Sequence, residues 1–375
     1  MSLAAGALHP AALGFDIAGV NHSPRDILIY AVGWTIGWIL LWRARPLPRS
    51  TAQSPRPAVA VIIPARNEAT SLPSLLGPLV AQCRSGDRII VIDDHSTDAT
   101  ALVAHGFNID VASPPALPAG WLGKPHACAY GASITDQPVM VFLDADVRPG
   151  PTLLDDLAAH VSAAPDVLAS MQPWHTMETV GEQPSILCNV TALMGCGAFT
   201  AWGNRGAATV AFGPVIAVDR ATYERVGGHA DETVRSMHTE DIGLARAVGR
   251  SQLYVGSPGT TTFRMYPGGF VELVRGWTRS IATGARFTTW WLALATAAWM
   301  CSVAGGWLAL PVVYPLTALQ VWVLGRRSGT IHPLAAALFP LLVVVFVGVF
   351  VRSTCAVILG RDVTWKGRQV DARTG

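Results

Sequence analysis

The sequence predicts an α/β domain with a mostly parallel sheet, held between apolar helices at its two ends. Three observations predict it. In the middle of the chain, short β-branched runs alternate with helix-like segments, and each run ends in polar, often acidic residues. Toward the ends lie long stretches without a single charge. Over the whole 375-residue chain 51% of residues are apolar and only 14% charged, against about 25% charged in an average soluble protein.

The 27 basic and 25 acidic residues nearly cancel, which excludes a nucleic-acid binder that relies on bulk positive charge. No internal repeat, low-complexity tract or long single-sign charge run is present, so a solenoid and a disordered scaffold are excluded too.

Taken in order, residues 1–26 form an N-terminal extension and 27–42, ILIYAVGWTIGWILLW, a first membrane span. A spanning helix needs roughly 17–25 mostly apolar residues, and no basic n-region or A-x-A site marks this run as a cleaved signal peptide. A Pro/Ser/Arg linker covers 43–57, the α/β domain 58–262 and an interfacial amphipathic segment 263–288. Residues 289–325 form a transmembrane hairpin bent at Pro311 or Pro315, 333–359 a spanning or re-entrant segment, and 360–375 a basic tail. Arg43, Arg45 and Arg49 follow the first span against Arg25 before it, so the α/β domain is expected on the cytoplasmic face of a multi-pass cell-membrane protein. The last apolar run conflicts with that rule. A full crossing from Arg327 would carry Arg352, Arg361, Lys366 and Arg368 outside, so either the rule fails there or the segment is re-entrant or interfacial. Cys83, Cys128, Cys188, Cys196, Cys301 and Cys355 show no C-x-x-C or zinc spacing and read as reduced, mostly buried thiols.

Within the α/β domain, AVAVIIPA, DRIIVIDD and PVMVFLDAD read as strands, with helices around Leu75–Gln82 and Asp98–His105 between them. Ligands of such sheets bind beyond the carboxyl ends of the strands. The residues there are Pro64-Ala65-Arg66-Asn67-Glu68, then Asp93-Asp94-His95-Ser96-Thr97-Asp98, then Asp144-Ala145-Asp146. Carboxylates packed together repel one another and are protonated more readily, and a divalent cation relieves that repulsion. Oxygen ligands favour Mg2+ or Mn2+, which commonly bridge to phosphates. Alone, Asp-Ala-Asp would read as a solvated turn and Thr97 or Asp98 as a helix cap; both clusters at strand ends, in this order, read as a site.

PARNE, DDHSTDAT and DAD resemble the family-two glycosyltransferases, whose GT-A fold is a Rossmann-like nucleotide-diphospho-sugar transferase domain. GWLGKPHACAYGA, AFGPVIAVDRATYERVGGH, FRMYPGGFVELVRGWTRSIATGA and the terminal WKGRQ resemble its membrane-bound carotenoid/diaponeurosporenoate glycosyltransferase subgroup. The resemblance implies that Pro64, Arg66 and Glu68 line the base and ribose of a UDP-sugar, and that Asp94 hydrogen-bonds the uracil. It further implies that Asp144 contacts the ribose and that Asp146 holds Mg2+ or Mn2+ on the diphosphate. Lys124, one of two lysines in the chain, falls beside the diphosphate as a point charge.

Thr239-Glu240-Asp241 resembles the TED motif, which implies Asp241 as general base with Glu240 beside it; taken alone, the segment is an N-cap followed by acidic first-turn residues. Arg275 and Arg279 share a helix face from which Trp277 is displaced. Their RGWTRS segment resembles, imperfectly, the QxxRW signature that closes over the diphosphate, and an interfacial helix with snorkelling Arg is the other reading. His229 reads as a structural histidine. The apolar ends imply a lipid acceptor, which the resemblance makes a carotenoid or other terpenoid, with glucose as the sugar; the chain has fewer spans than a polymer channel needs, which favours transfer of a single sugar. A carboxylic acceptor is already ionised near pH 7, so an apparent base in Asp241 points toward a hydroxyl, with a glycosyl ester still open. A processive polysaccharide synthase or a polyprenyl-phosphate glycosyltransferase of the same fold is the alternative.

Overall fold

The structure is a computed structural model that describes residues 15–17, 20–50, 56–203, 209–359, 362–365 and 368–371. Most of the expected N-terminal extension, part of the linker, and Arg361, Lys366 and Gly367 of the basic tail lie outside the described residues.

The α/β domain is built on β1 (Val59–Ala65), α2 (Leu72–Val80), β2 (Arg88–Asp93), α3 (Thr100–Gly106), β3 (Asp110–Ala112), α4 (Gly123–Ser133), β4 (Val139–Leu143), α5 (Leu153–Ala163), β5 (Leu168–Gln172), α6 (Ser185–Cys196), β6 (Val215–Asp219), α7 (Glu240–Val248) and β7 (Ser251–Val255); helix α1 (Pro24–Leu40) precedes it. The seven strands lie in the order β7-β5-β6-β4-β1-β2-β3. Only β6 runs antiparallel, against both β4 and β5; β1 pairs in parallel with β2 and β4, β2 with β3, and β7 with β5. The sheet is therefore mostly parallel, as expected, and mixed only through β6.

Alternation along β1 separates the two cores. Val59, Val61 and Ile63 pack with α2 and α5 on one face, and Ile62 with Ala127 and Cys128 of α4 on the other. The chain leaves β1 toward β2 on one side and returns to β4 on the other, so the carboxyl ends of β1 and β4 frame a topological switch point.

The described part of the linker is docked. Arg56 is buried and forms a bidentate pair with Asp87 at 2.7 and 2.6 Å and a bond to Asp155 at 2.6 Å, while Leu47 enters the sheet core. A buried arginine satisfied by two carboxylates fixes the segment that composition alone marks as a tether.

The remaining helices are α8 (Phe270–Ala285), α9 (Trp290–Ala309), α10 (Tyr314–Arg326) and α11 (Phe339–Leu359). Two are long and apolar enough to cross a membrane, Trp290–Leu308 and Phe339–Leu359. Helix α1, of 17 residues, lies against α9 through Gly33 and Gly37. A Cβ at Gly33 would stand 2.5 Å from Ser302 Cβ, and one at Gly37 2.3 Å from the Trp299 ring. This is the small-xxx-small spacing that lets apolar helices approach closely. The Trp299 indole donates to Gln320 Oε1 (3.1 Å), and Gln320 Nε2 donates to the Trp34 carbonyl (2.6 Å), tying α10 to both. The turn between α9 and α10 falls at Pro311, the first of the two prolines expected to bend it, and Pro315 lies in the first turn of α10.

The last apolar run, expected over 333–359, contains a helix that ends at Leu359. Arg352 lies inside that helix, α11, one turn and more before Leu359. The run also leaves the α/β domain and comes back to it. Thr330 N donates to the His175 carbonyl (2.8 Å) and His332 N to Gln183 Oε1 (2.9 Å) at its start, while Arg352, Cys355, Ala356 and Leu359 at its end line the domain's cleft.

Candidate active site

A cleft of about 1460 Å³ opens at the switch point. Its floor is made by strand-end loops. After β1, Asn67 takes a left-handed φ of 54°, and after β2, His95 takes 56°, so each chain turns sharply off the sheet. The two loops are stitched together: Asn67 N donates to Ser96 Oγ (2.9 Å), Thr97 N to Asn67 Oδ1 (2.8 Å), Glu68 N to Thr100 Oγ1 (2.8 Å) and Ala69 N to Asp98 Oδ2 (3.1 Å). Asp98 also accepts from Thr100 N (3.0 Å). The polar run DDHSTDAT is thus largely spent on building the loop. What it leaves facing the cleft is Asp94, with Pro64, Arg66 and Glu68 from the first loop; Arg66 Nη1 donates to the Asp94 carbonyl (2.6 Å).

At the end of β4, Asp144 N donates to the Pro214 carbonyl (3.0 Å), which seats the Asp-Ala-Asp turn against the start of β6. Lys124, in the first turn of α4, bridges Asp144 Oδ1 and Glu240 Oε1, both at 2.8 Å. Burial works against the ammonium's charge, but Asp144 and Glu240 more than offset it and hold its pKa well above the usual range. Glu240 is buried, 4% exposed, and lines the cleft. Asp241 stands behind Gly213, where a Cβ would lie 3.4 Å from its Oδ2 and 3.1 Å from Lys124 Nζ. Burial and the neighbouring Glu240 push the Asp241 carboxyl up to about 7, while Lys124 pulls the other way. Thr239 occupies the N-cap position of α7, yet its hydroxyl makes no capping bond; the local alternative for this motif, a simple helix cap, is not what the side chain does.

Asp146 is likewise pushed up to about 7, by burial and then by Asp144 and Glu68. Among the described residues no group of three or more His, Cys, Asp or Glu side chains could enclose a metal ion. The carboxylate oxygens of Asp144 and Asp146 are nonetheless the hard donors that Mg2+ or Mn2+ takes, and a cation there would relieve the repulsion felt at Asp146.

Helix α8 supplies the facing wall. Glu272, Arg275, Gly276 and Arg279, at helical spacing, line the cleft. Gly276 is required there, since a Cβ would stand 2.4 Å from the Tyr266 ring. Trp277 points the other way: it is 6% exposed in the core, and its indole donates to Ser185 Oγ (2.8 Å). The candidate role for Trp277 on the nucleotide is thus not what its placement offers, because one residue beyond the cleft face of a helix turns it about 100° away. His229 is buried against Tyr223, whose hydroxyl lies 3.0 Å from Nδ1, and burial pushes it down to about 3; it is structural.

Sequence reasoning missed Arg264, Tyr266 and Arg352 on the cleft wall. Arg264 holds Glu178 at 2.8 Å and buried Glu182 at 2.7 Å; despite burial, Arg264 and Thr179 keep Glu182 down to about 2. The signal for Arg352 was present, as the one charge within Phe339–Leu359, but it reads as a flank. All six cysteines are free; Cys128, Cys188 and Cys196 are buried, and Cys83, Cys301 and Cys355 are exposed, so only half fit the expected burial.

Residues 60–196 match the model of the family "Glycosyl transferase family 2". The chain is 32% identical over 333 residues to a 4,4'-diaponeurosporenoate glycosyltransferase of Staphylococcus haemolyticus, covering 83% of this chain and 88% of the relative. It is 30% identical over 367 residues to the protein of that name from Staphylococcus aureus MRSA252, covering 91% and 96%. Among solved structures, a mannosyltransferase from Pyrobaculum calidifontis in complex with GDP-Man and Mn2+ superposes with a TM-score of 0.53 at 17% identity, over 88% of this chain and 97% of that one; the likeness shows a shared GT-A fold. The chain belongs to glycosyltransferase family 2 and is a glycosyltransferase.

Proposed function

We propose that this glycosyltransferase moves a single sugar, with glucose the first to test, from a UDP-sugar to an oxygen of an apolar carotenoid or other terpenoid lipid, inverting the anomeric carbon. One observation carries the reading: carboxylates of the strand ends and an apolar helix long enough to cross a membrane line the same cleft. The relatives' names give 4,4'-diaponeurosporenoate as their acceptor, and we take the same class, a long apolar chain with one oxygen-bearing end. Helix α1 follows α9 through Gly33 and Gly37, so a bilayer crossed by α9 would hold α1 as well, with the α/β domain on its cytoplasmic face.

In this reading Pro64, Arg66, Glu68 and Asp94 receive the nucleoside, and Asp144 the ribose. Asp146 would hold Mg2+ or Mn2+, which when bound supplies positive charge to the departing diphosphate. Lys124, Arg275 and Arg279 face the same diphosphate from the protein. Lys124 also keeps Asp144 and Glu240 from repelling each other. Asp241, poised near neutrality, takes the proton when the attacking oxygen belongs to an alcohol.

The test is UDP release by the detergent-purified full chain, with UDP-glucose and added Mg2+ or Mn2+, with and without a total apolar lipid extract. The expected result is release that needs the lipid, stops with EDTA and yields a glycosylated lipid by mass spectrometry. UDP bound but never released with any UDP-sugar and the extract would overturn the reading.

A further inference from the structure

The cleft has two helical walls of different character. Helix α8 presents Glu272, Arg275, Gly276 and Arg279, and α11 presents Arg352, Cys355, Ala356 and Leu359. Both sets follow the i, i+3, i+4, i+7 pattern of one helix face. The α11 stripe is apolar apart from a single guanidinium, and Ala282 N, which donates to Ser353 Oγ (3.1 Å), locks the two helices beside that guanidinium. A helix otherwise uncharged over Phe339–Leu359 carries this arginine at a cost, and charges in such segments ordinarily have a partner or a function.

The other cations of the cleft are committed. Lys124 holds Asp144 and Glu240, Arg264 holds Glu178 and Glu182, and Arg66 bonds to Asp94. Arg275 and Arg279 face the diphosphate in the reading above. Arg352 is exposed to the cleft and has no hydrogen-bond or ion-pair partner among the described residues.

Resting on the lipid-acceptor reading, we propose that Arg352 is the residue that selects an acidic acceptor, its guanidinium binding the carboxylate that ends an apolar chain lying along Cys355, Ala356 and Leu359. A planar guanidinium matches a carboxylate in a way it does not match a neutral alcohol. The floor of the cleft is rich in carboxylates, so an anionic acceptor needs a cation at its entry. The transfer then balances without a base. A carboxylate oxygen attacks the anomeric carbon, the new C–O bond forms as the bond to the diphosphate breaks, and the electron pair leaves on UDP. No proton moves, because the acid is already ionised near pH 7.

The experiment uses the full chain in nanodiscs with UDP-glucose and a matched pair of terpenoid probes, retinoic acid and retinol. Product mass separates the glucosyl ester from the glucoside. The wild type should favour the acid. Arg352→Gln should lower the acid-to-alcohol turnover ratio about tenfold or more, as expected for a lost charge-assisted hydrogen bond, and Arg352→Lys should recover part of it. Asp241→Asn should act in the opposite sense, suppressing retinol far more than retinoic acid. An unchanged ratio in Arg352→Gln would overturn the inference, as would equal loss on both probes with a raised KM for UDP-glucose, which would mark a diphosphate contact. A wild type that takes only retinol overturns it while leaving the lipid-acceptor reading standing. Turnover of neither probe nor lipid extract, with UDP bound, sinks that reading and this inference with it.

Discussion

The floor and the outer wall of the cleft hold their side chains in opposite ways. On the floor, loop residues are fixed by a lattice of short polar contacts: Asn67 with Ser96 and Thr97, Thr100 with Glu68, Lys124 with Asp144 and Glu240. On the wall, position is set mainly by helix packing, with Gly276 against Tyr266 and Gly181 against Phe270 at the start of α8. Polar lattices demand particular residue types at particular spacings, and packing demands only size and face. The first leaves a motif in the sequence and the second does not.

Three substitutions sharpen that contrast, the largest effect first. Asp241→Asn removes the base and should cost about 10²–10⁴ in kcat with an alcohol acceptor, while UDP affinity, measured by calorimetry, stays near that of the wild type. The pH dependence carries the same signature. Because Asp241 is raised to about 7, its proton-accepting form is scarce below that pH and fills as pH climbs through it. Turnover of an alcohol should therefore rise through about 7 and flatten above, a limb absent with an ionised acid and absent in Asp241→Asn. On the wall, Gly276→Val would drive a side chain into the Tyr266 ring, 2.4 Å from where its Cβ must sit. It should destabilise by about 1–3 kcal/mol, read as a lower melting temperature together with weakened donor binding, since Arg275 and Arg279 move with the helix. The smallest effect belongs to Trp277→Phe, which forfeits one buried hydrogen bond to Ser185 and about 1 kcal/mol. Its KM for UDP-sugar should match the wild type, and a KM raised severalfold would place the indole on the nucleotide after all.

The sequence was informative where chemistry dictates residue type. The three strands and their acidic ends and the α7 start at Glu240 could be read because carboxylates and strand ends are recognisable in one dimension, whereas the Lys124 bridge between Asp144 and Glu240 joins residues far apart in the chain and appears only in the fold. The prediction went astray where only direction matters. Trp277 sits within an arginine-rich motif, yet the helix turns it into the core. Helix α6 is buried on nearly every side, so it offers no amphipathic pattern to find. Arg352 falls inside the expected 333–359 segment, but only the packing of its helix shows that it faces the cleft.

The central claim is that the apolar helix α11 and the nucleotide loops share one cleft, and Cys355 tests it most directly. In a chain whose other exposed cysteines, Cys83 and Cys301, are serine, Cys355 is modified with a bulky maleimide, and UDP binding and sugar transfer to lipid are both measured. The account predicts that UDP still binds while transfer to lipid is lost, and that bound acceptor slows the labelling. Complete labelling of Cys355 with unchanged transfer to lipid would contradict it.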